Sequence, residues 1–349
     1  MNHKLNVVTI NLALIAILIF NACTSTPAVE RGVVVGEGLL KADTLFSQPK
    51  LGNITAIKIL TDDSLPTQIL VVGTKGVSII NEKGDELNHI PFEYGDGYGR
   101  FGLGNVQPVF NPDRILYLNR GGGWQPVSLF DEKGKKMWEY SGAPNDAALI
   151  DLDSNGENEI IVGTNGGGGV IAFYQSGEEI WTTKASNAFS IAVIKENGMN
   201  YIIHTDGEEI VIRSVDGKLL RTLDLPDVSF EIDDFKGNKA IFCAKNQQLY
   251  VFDFYGNKLD SFSLETQGRD HKYINSQLLS VKNSGGIIST NFRRANSEWH
   301  LYDHNDSIVY HERYWGHYPV VYEYTSGSKV HLLLGCDEGI VKVYSKISN

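Results

Sequence analysis

Cysteine is scarce in this 349-residue chain, with residues only at positions 23, 243 and 336. The last two sit in apolar, strand-like sequence, AIFCAK and LLLGCDEG, which argues against a disulfide framework and assigns both to core positions. Basic charge is also short. Against 42 Asp and Glu there are 31 Lys and Arg, a formal charge of -11, which argues against a nucleic-acid partner that needs a basic face. Past the N-terminus the 3.6-residue apolar period of long amphipathic helices is missing. So are a nucleophile elbow, zinc-ligand spacing and paired catalytic carboxylates. What the chain has instead is 36 Gly, 16 Tyr and 15 Phe, a composition suited to many short strands joined by tight turns. The length fits two average domains or one large repeat architecture.

The N-terminus differs from the rest. Lys4 gives a positive start, and the run from 7 to 20 is apolar apart from Thr9 and Asn11. Asn21, Ala22 and Cys23 follow, then Thr-Ser-Thr-Pro. This reads as an export signal outside the fold. It resembles a bacterial lipoprotein signal, in which residues 1–22 are removed and Cys23 carries lipid. Ala22 is the small residue such signals place before the cysteine, while Phe20 and Asn21 depart from the usual Leu and small residue. An ordinary signal peptide cleaved nearby, or an uncleaved anchor helix, are the alternatives. Residues 23–37 read as a linker and 38–347 as the folded domain. The resemblance implies the bacterial cell envelope, facing periplasm or exterior, with membrane contact through the lipid anchor only.

From residue 52 onward one pattern of four short strands recurs. Its clearest copy runs AALIDLD, EIIVGT, GGVIAFY, QSGEEIWTT over 147–183. First strands begin near 55, 106, 147, 190, 230, 273 and 320, a period of roughly 40 to 50 residues. That spacing predicts an all-β, seven-bladed β-propeller of four-stranded antiparallel blades. An open β-solenoid is the competing arrangement. The last repeat supplies only three strands, VVYEY, KVHLLLG and IVKVYS. The segment 38–49, GLLKADTLFSQP, can supply the missing outer one, so the N-terminal strand would close the ring.

Turns between third and fourth strands read NEKGDEL, DEKGKKMW, QSGEEIW, SVDGKLL and FYGNKL. They resemble the repeats of quinoprotein-like (PQQ-like) propellers, where such a turn precedes a tryptophan docked between blades. Trp138 and Trp181 match that position, whereas Leu87, Leu220 and Leu259 fall one residue earlier from the turn glycine. Members that act as quinone-dependent dehydrogenases are generally larger, and many carry a vicinal cysteine pair. This chain has no adjacent cysteines, so no quinone is expected. Non-enzymatic lipoproteins with such propellers, an outer-membrane assembly factor among them, agree better with the leader.

A second resemblance is local. DLDSNGENEIIVG is similar to the calcium loops of FG-GAP and related repeats in secreted propellers. Asp151, Asp153, Asn155 and Glu159 occupy positions 1, 3, 5 and 9, and Gly156 permits the bend that turns oxygens inward. The resemblance implies a structural Ca2+ ion. The plainer reading is an Asp/Asn/Gly hairpin turn that binds nothing.

In such a blade, loops between second and third strands share one face with the crossovers between blades. That crossover face collects the long, unusual segments of this chain. It gathers Tyr98, Arg100, Arg120, Trp124, Arg269, His271, Arg293, Arg294, Tyr314, Trp315 and His317, a basic and aromatic set in an acidic protein. Loops on a rigid scaffold commonly carry binding residues, and aromatic faces with Arg forks suit a carbohydrate or an acidic protein segment. Trp124 and Trp315 packing loops, and Arg293 and Arg294 as plain solvent charge, are the duller alternatives. The expected function is a binding or assembly scaffold for a carbohydrate or an envelope protein. The alternative is a polysaccharide-acting lyase or hydrolase using the same face.

Overall fold

The computed structural model describes residues 40–60, 67–93, 106–111, 114–121, 125–207, 209–224, 230–235, 238–245, 248–263, 274–275, 287–291, 297–302, 308–314, 320–326, 329–335 and 339–346. Its strands form seven four-stranded antiparallel sheets. Strand β1 (Leu40–Ser47) leads by a short 3-10 turn into the first sheet, β2 (Ile54–Leu60), β3 (Gln68–Gly73), β4 (Gly76–Asn81) and β5 (Glu86–Pro91). The second holds β6 (Val106–Asn111), β7 (Arg114–Asn119), β8 (Val127–Phe130) and β9 (Lys136–Tyr140). The third holds β10 (Pro144–Ile150), β11 (Glu159–Thr164), β12 (Val170–Phe173) and β13 (Glu179–Thr183). Next come β14 (Ile191–Glu196), β15 (Met199–Asp206), β16 (Glu209–Ser214) and β17 (Leu219–Leu223). The fifth sheet is β18 (Phe230–Phe235), β19 (Asn238–Lys245), β20 (Gln248–Phe252) and β21 (Lys258–Ser263). The sixth is β22 (Ile274–Asn275), β23 (Ile287–Asn291), β24 (Ser297–Tyr302) and β25 (Ile308–Tyr314). In the seventh, β26 (Val320–Ser326), β27 (Lys329–Gly335) and β28 (Ile340–Lys346) take β1 as fourth strand, with Leu40 opposite Lys346 and Ser47 opposite Ile340.

Strand alternation explains why the second strands read as unbroken apolar runs. Successive side chains point to opposite faces, and here both faces are covered by neighbouring sheets. On β3, Ile69 and Val71 pack with Phe46, Leu333 and Val341 of the seventh sheet. Leu70 and Val72 point the other way, to Val106, Tyr117 and Phe130 of the second. On β11, Ile160 and Val162 meet Leu116 and Leu129 of the second sheet, while Ile161 meets Ile191 and Ile202 of the fourth. Ile203 and Ile212 of the fourth sheet then pack on Ile241, Cys243 and Phe252 of the fifth. These are five consecutive side-chain junctions, from the seventh sheet round to the fifth. Cys243 is buried, as its apolar strand requires; Cys336 lies outside the described residues.

The turns between third and fourth strands repeat with one geometry. At residues 81, 131, 174, 214 and 253 the N–H donates to the carbonyl four residues on, and the glycine three residues on donates back. Asn81, Asp131 and Asp253 add a side-chain oxygen that accepts from two backbone N–H groups of the turn. Beyond each turn the register slips by one residue, leaving Leu87, Met137, Ile180, Leu220 and Leu259 as the extra residue of a bulge. Val309 holds the same place in the sixth sheet, while the seventh has its register shift at Leu45, towards the crossover end of β1.

The next residue docks on the following sheet. Trp138 covers Gly177, where an added Cβ would come within 2.8 Å of the indole. Trp181 covers Gly217 and donates from Nε1 to the Val215 carbonyl at 3.0 Å. Leu87, Leu220 and Leu259, one residue nearer the turn glycine, are bulge residues like Met137 and Ile180. In the fourth sheet the docking place belongs to Arg221, which donates from Nη1 to the Phe254 carbonyl at 3.3 Å and lies over the Tyr255 ring. A guanidinium thus replaces an indole at an equivalent junction.

Candidate functional site

Strands alternate in direction, so each sheet presents two ends. One, the turn face, carries the connections from first to second and from third to fourth strands. The other, the crossover face, carries the second-to-third loops and the passages between sheets. Sequence analysis placed two candidate sites, one on each face.

On the crossover face, Arg120 follows β7 and reaches across two sheets. Its Nε and Nη2 donate to both carboxylate oxygens of Asp146, on β10, at 2.7 and 2.6 Å, and Nη2 also donates to the Ile191 carbonyl at the start of β14. Asp146 is buried and further accepts from the Ala147 and Ile191 N–H groups at 2.8 Å each. The guanidinium expected to meet a ligand is therefore part of a clamp joining the second, third and fourth sheets. Of the other expected residues, Tyr98, Arg100, Trp124, Arg269, His271, Arg293, Arg294, Trp315 and His317 lie outside the described residues, as does Cys23. Tyr314 is placed by its backbone as the last residue of β25.

Partners that sequence reasoning missed hold the neighbouring loops. Ser186 donates from N and Oγ to Asp206 at 2.6 Å each, and Asn145 Nδ2 donates to Asn187 at 2.7 Å. The Phe189 and Ser190 N–H groups donate to Thr205 Oγ1, and the Ala188 N–H to the Thr164 carbonyl. Phe189 itself stands 47% exposed on this pinned segment. Thr164 opens the glycine loop at 165–169, where Gly166 and Gly167 adopt positive φ with open space in front of them. None of these pairs has a sequence signal, because each joins residues 15 or more apart in the chain.

On the turn face, β10 ends at Ile150 and β11 begins at Glu159, with the acidic loop between. Carboxylate oxygens of Asp151, Asp153 and Glu159 lie within 4.8 Å of one another. Asp151 accepts from the Asn155 and Gly156 N–H groups, and Asp153 from Asn155 N–H at 3.1 Å. Asn155 directs its amide oxygen to the Glu157 N–H at 2.6 Å. Glu159 is buried and accepts from Leu152 N–H at 2.7 Å. Burial, then the Asp153 and Asp151 charges, push its carboxyl above the usual range, against the Leu152 hydrogen bond. The fourth sheet and the third sheet's own β12–β13 turn hold the loop. Asn200 Nδ2 donates to the Asp151 carbonyl and Gln175 Nε2 to the Asn158 carbonyl. Three hard oxygen donors converging on one point fit Ca2+ by donor chemistry.

No family model matches the chain, and no curated protein matches it in sequence. Solved structures do resemble it. Crystals of BBS1N in complex with ARL6DN give a TM-score of 0.52 (lead-soaked) at 10% identity, covering 92% of this chain and 97% of that one. The mercury-soaked form gives 0.53 at 10% identity, covering 90% and 96%. BamB from Moraxella catarrhalis gives 0.47 at 11% identity, covering 91% and 97%. With the sheet order and the packed junctions, the likeness to BBS1N defines the class of fold. The chain is an all-β propeller of four-stranded antiparallel blades.

Proposed function

We propose that this chain is an exported scaffold, a closed ring of seven blades that holds a protein ligand on its crossover face. The observation that carries the reading is Phe189, an exposed aromatic on a segment pinned to Thr164, Thr205 and Asp206. Large aromatics held rigidly before binding lose little entropy when a partner covers them, and such residues dominate protein interfaces. The Arg120–Asp146 clamp supports it by fixing the loops of three adjacent blades relative to each other. A propeller of similar fold, BBS1N, was crystallised with a protein, ARL6DN. The N-terminal sequence supports export to the bacterial cell envelope and a lipid on Cys23 as the tether. A Ca2+ ion held by Asp151, Asp153 and Glu159, with Asn155 as a further donor, would serve the third blade structurally by neutralising three clustered carboxylates.

The test is site-specific photo-crosslinking in cells. A crosslinker replacing Phe189 or Gly166 is expected to give a protein adduct of defined mass, and one replacing Met199, on the opposite face, is not. Equal yields from the two faces, or none from either, would remove the crossover face as a protein site. A thermal shift with oligosaccharides in place of adducts would move the assignment to carbohydrate.

A further inference from the structure

The large hydrophobic side chains left in solvent are not spread evenly over the ring. Among the described residues ten stand exposed, and all but Phe189 belong to the turn face. Leu87, Met137, Leu220 and Leu259, at 53, 39, 53 and 45% exposure, are bulge residues just past a turn glycine. Phe110 and Met199, at 50 and 58%, flank first-to-second turns. Because every such turn ends at the same level of a propeller, these side chains are presented to one plane. They stand singly around a rim, each beside charged turn residues, so they do not line a groove for a helix or a strand.

The chain itself indicates what meets that plane. Strand β1 is an outer strand and runs from the turn face towards the crossover at 48–53, so the chain enters the fold at Leu40 on the turn face. Upstream lies Cys23, the proposed lipid site, joined through residues 24–39. Those sixteen residues reach at most roughly 50 to 60 Å when fully extended, which keeps the ring close to the bilayer that holds the lipid. We infer that the turn face rests on a lipid bilayer, with the rim of Leu, Met and Phe side chains entering the interfacial zone. The occupant is a neutral bilayer surface. The turns carry both signs, Glu82, Asp85, Glu132, Glu178 and Asp216 beside Lys83, Lys133, Lys135 and Lys218, and the acidic loop 151–159 leaves the face net negative, which disfavours attraction to an anionic one. This placement rests on the reading of residues 1–39 as an export and anchoring segment, and it turns the crossover face away from the membrane.

Hydrogen exchange of the full chain, with and without phosphatidylcholine vesicles, tests the docking, and flotation of the same samples tests the anchor. Vesicles are expected to slow exchange about tenfold over 82–87, 132–137, 197–200, 216–220 and 254–259, leaving 165–169 and 186–190 unchanged. A full-chain Leu87→Ser/Met137→Ser/Leu220→Ser/Leu259→Ser variant should still float and lose that slowing. Unchanged exchange in its β3, β11 and β15 core strands would show it folded. Flotation without slowing on the turn face, or with equal slowing on both faces, overturns the docking while the anchor stands. Slowing without flotation keeps the docking and removes the anchor, and neither signal removes both. The same slowing at raised protein concentration without lipid assigns the face to a second copy of the chain and overturns the inference.

Discussion

His204 sits fully buried on β15, donating from Nδ1 to the Thr205 carbonyl at 2.8 Å and accepting at Nε2 from Arg213 Nε at 2.8 Å. Arg213 spends its other donors on the Gly217 and Lys184 carbonyls. A proton added to Nε2 would displace the arginine inside the protein. Burial first, with the Arg213 charge behind it, lowers the His204 pKa to about 4 from an ordinary 6.5, against the Thr205 hydrogen bond. The unfolded chain therefore binds a proton between these two values and the folded one does not. Stability is full above pH 6.5 and falls as pH drops towards 4, by about 3 kcal/mol as an order of magnitude. Denaturant titrations across that range should show this slope, and a His204→Leu/Arg213→Met variant should flatten it. An unchanged slope would assign the acid sensitivity to carboxylates. Residues of this kind were illegible in the sequence. Arg120 read as a ligand group because its partners, Asp146 and Ile191, lie 26 and 71 residues away.

Elements were far more legible, since a strand declares itself through alternation and a turn through local chemistry. The Asn/Asp–Gly turns at 81, 131 and 253 form as their sequence directs, each with a side-chain oxygen bonded to its own turn. Trp138 and Trp181 dock where the turn spacing places them, and Leu87, Leu220 and Leu259, one residue earlier, fall on the bulge, which leaves the docking place of the fourth sheet to Arg221. A one-residue register shift leaves no mark that periodicity can detect. The acidic loop 151–159 gives a prediction at the same scale. Saturating CaCl2 against EDTA should raise the melting temperature by roughly 2–4 °C. Asp153→Asn should abolish the shift, and acidification should weaken it as Glu159, with its raised pKa, takes a proton. A calcium-independent melt would leave the loop as a hairpin turn held by its own hydrogen bonds.

At the scale of the whole molecule, β1 and β28 place the beginning and the end of the fold in one sheet. Phe46 of β1 packs with Leu51, Ile54 and Val341, and Gly84 of the first sheet lies against the Leu45 carbonyl. Removing residues 40–47 would strip the seventh sheet of its outer strand and empty the Phe46 site, a loss of about 3 kcal/mol or more. Calorimetry should show the whole transition moving down together. A deletion variant that melts like the parent would mean that the N-terminal strand does not hold the molecule together. The likeness to BBS1N at 10% identity is one of fold, kept where residue identity is not.

The seven shifted registers carry one further consequence. The outermost strands of the first six sheets, from Leu87 in β5 to Val309 in β25, are broken in step just past their turns, and β1 is broken at Leu45 towards its opposite end. A flat open edge is a template on which another chain can add strands, and a local kink and extra twist spoil it. By repeating one small irregularity around its circumference, a protein built almost wholly of strands is guarded against seeding a fibril at its rim.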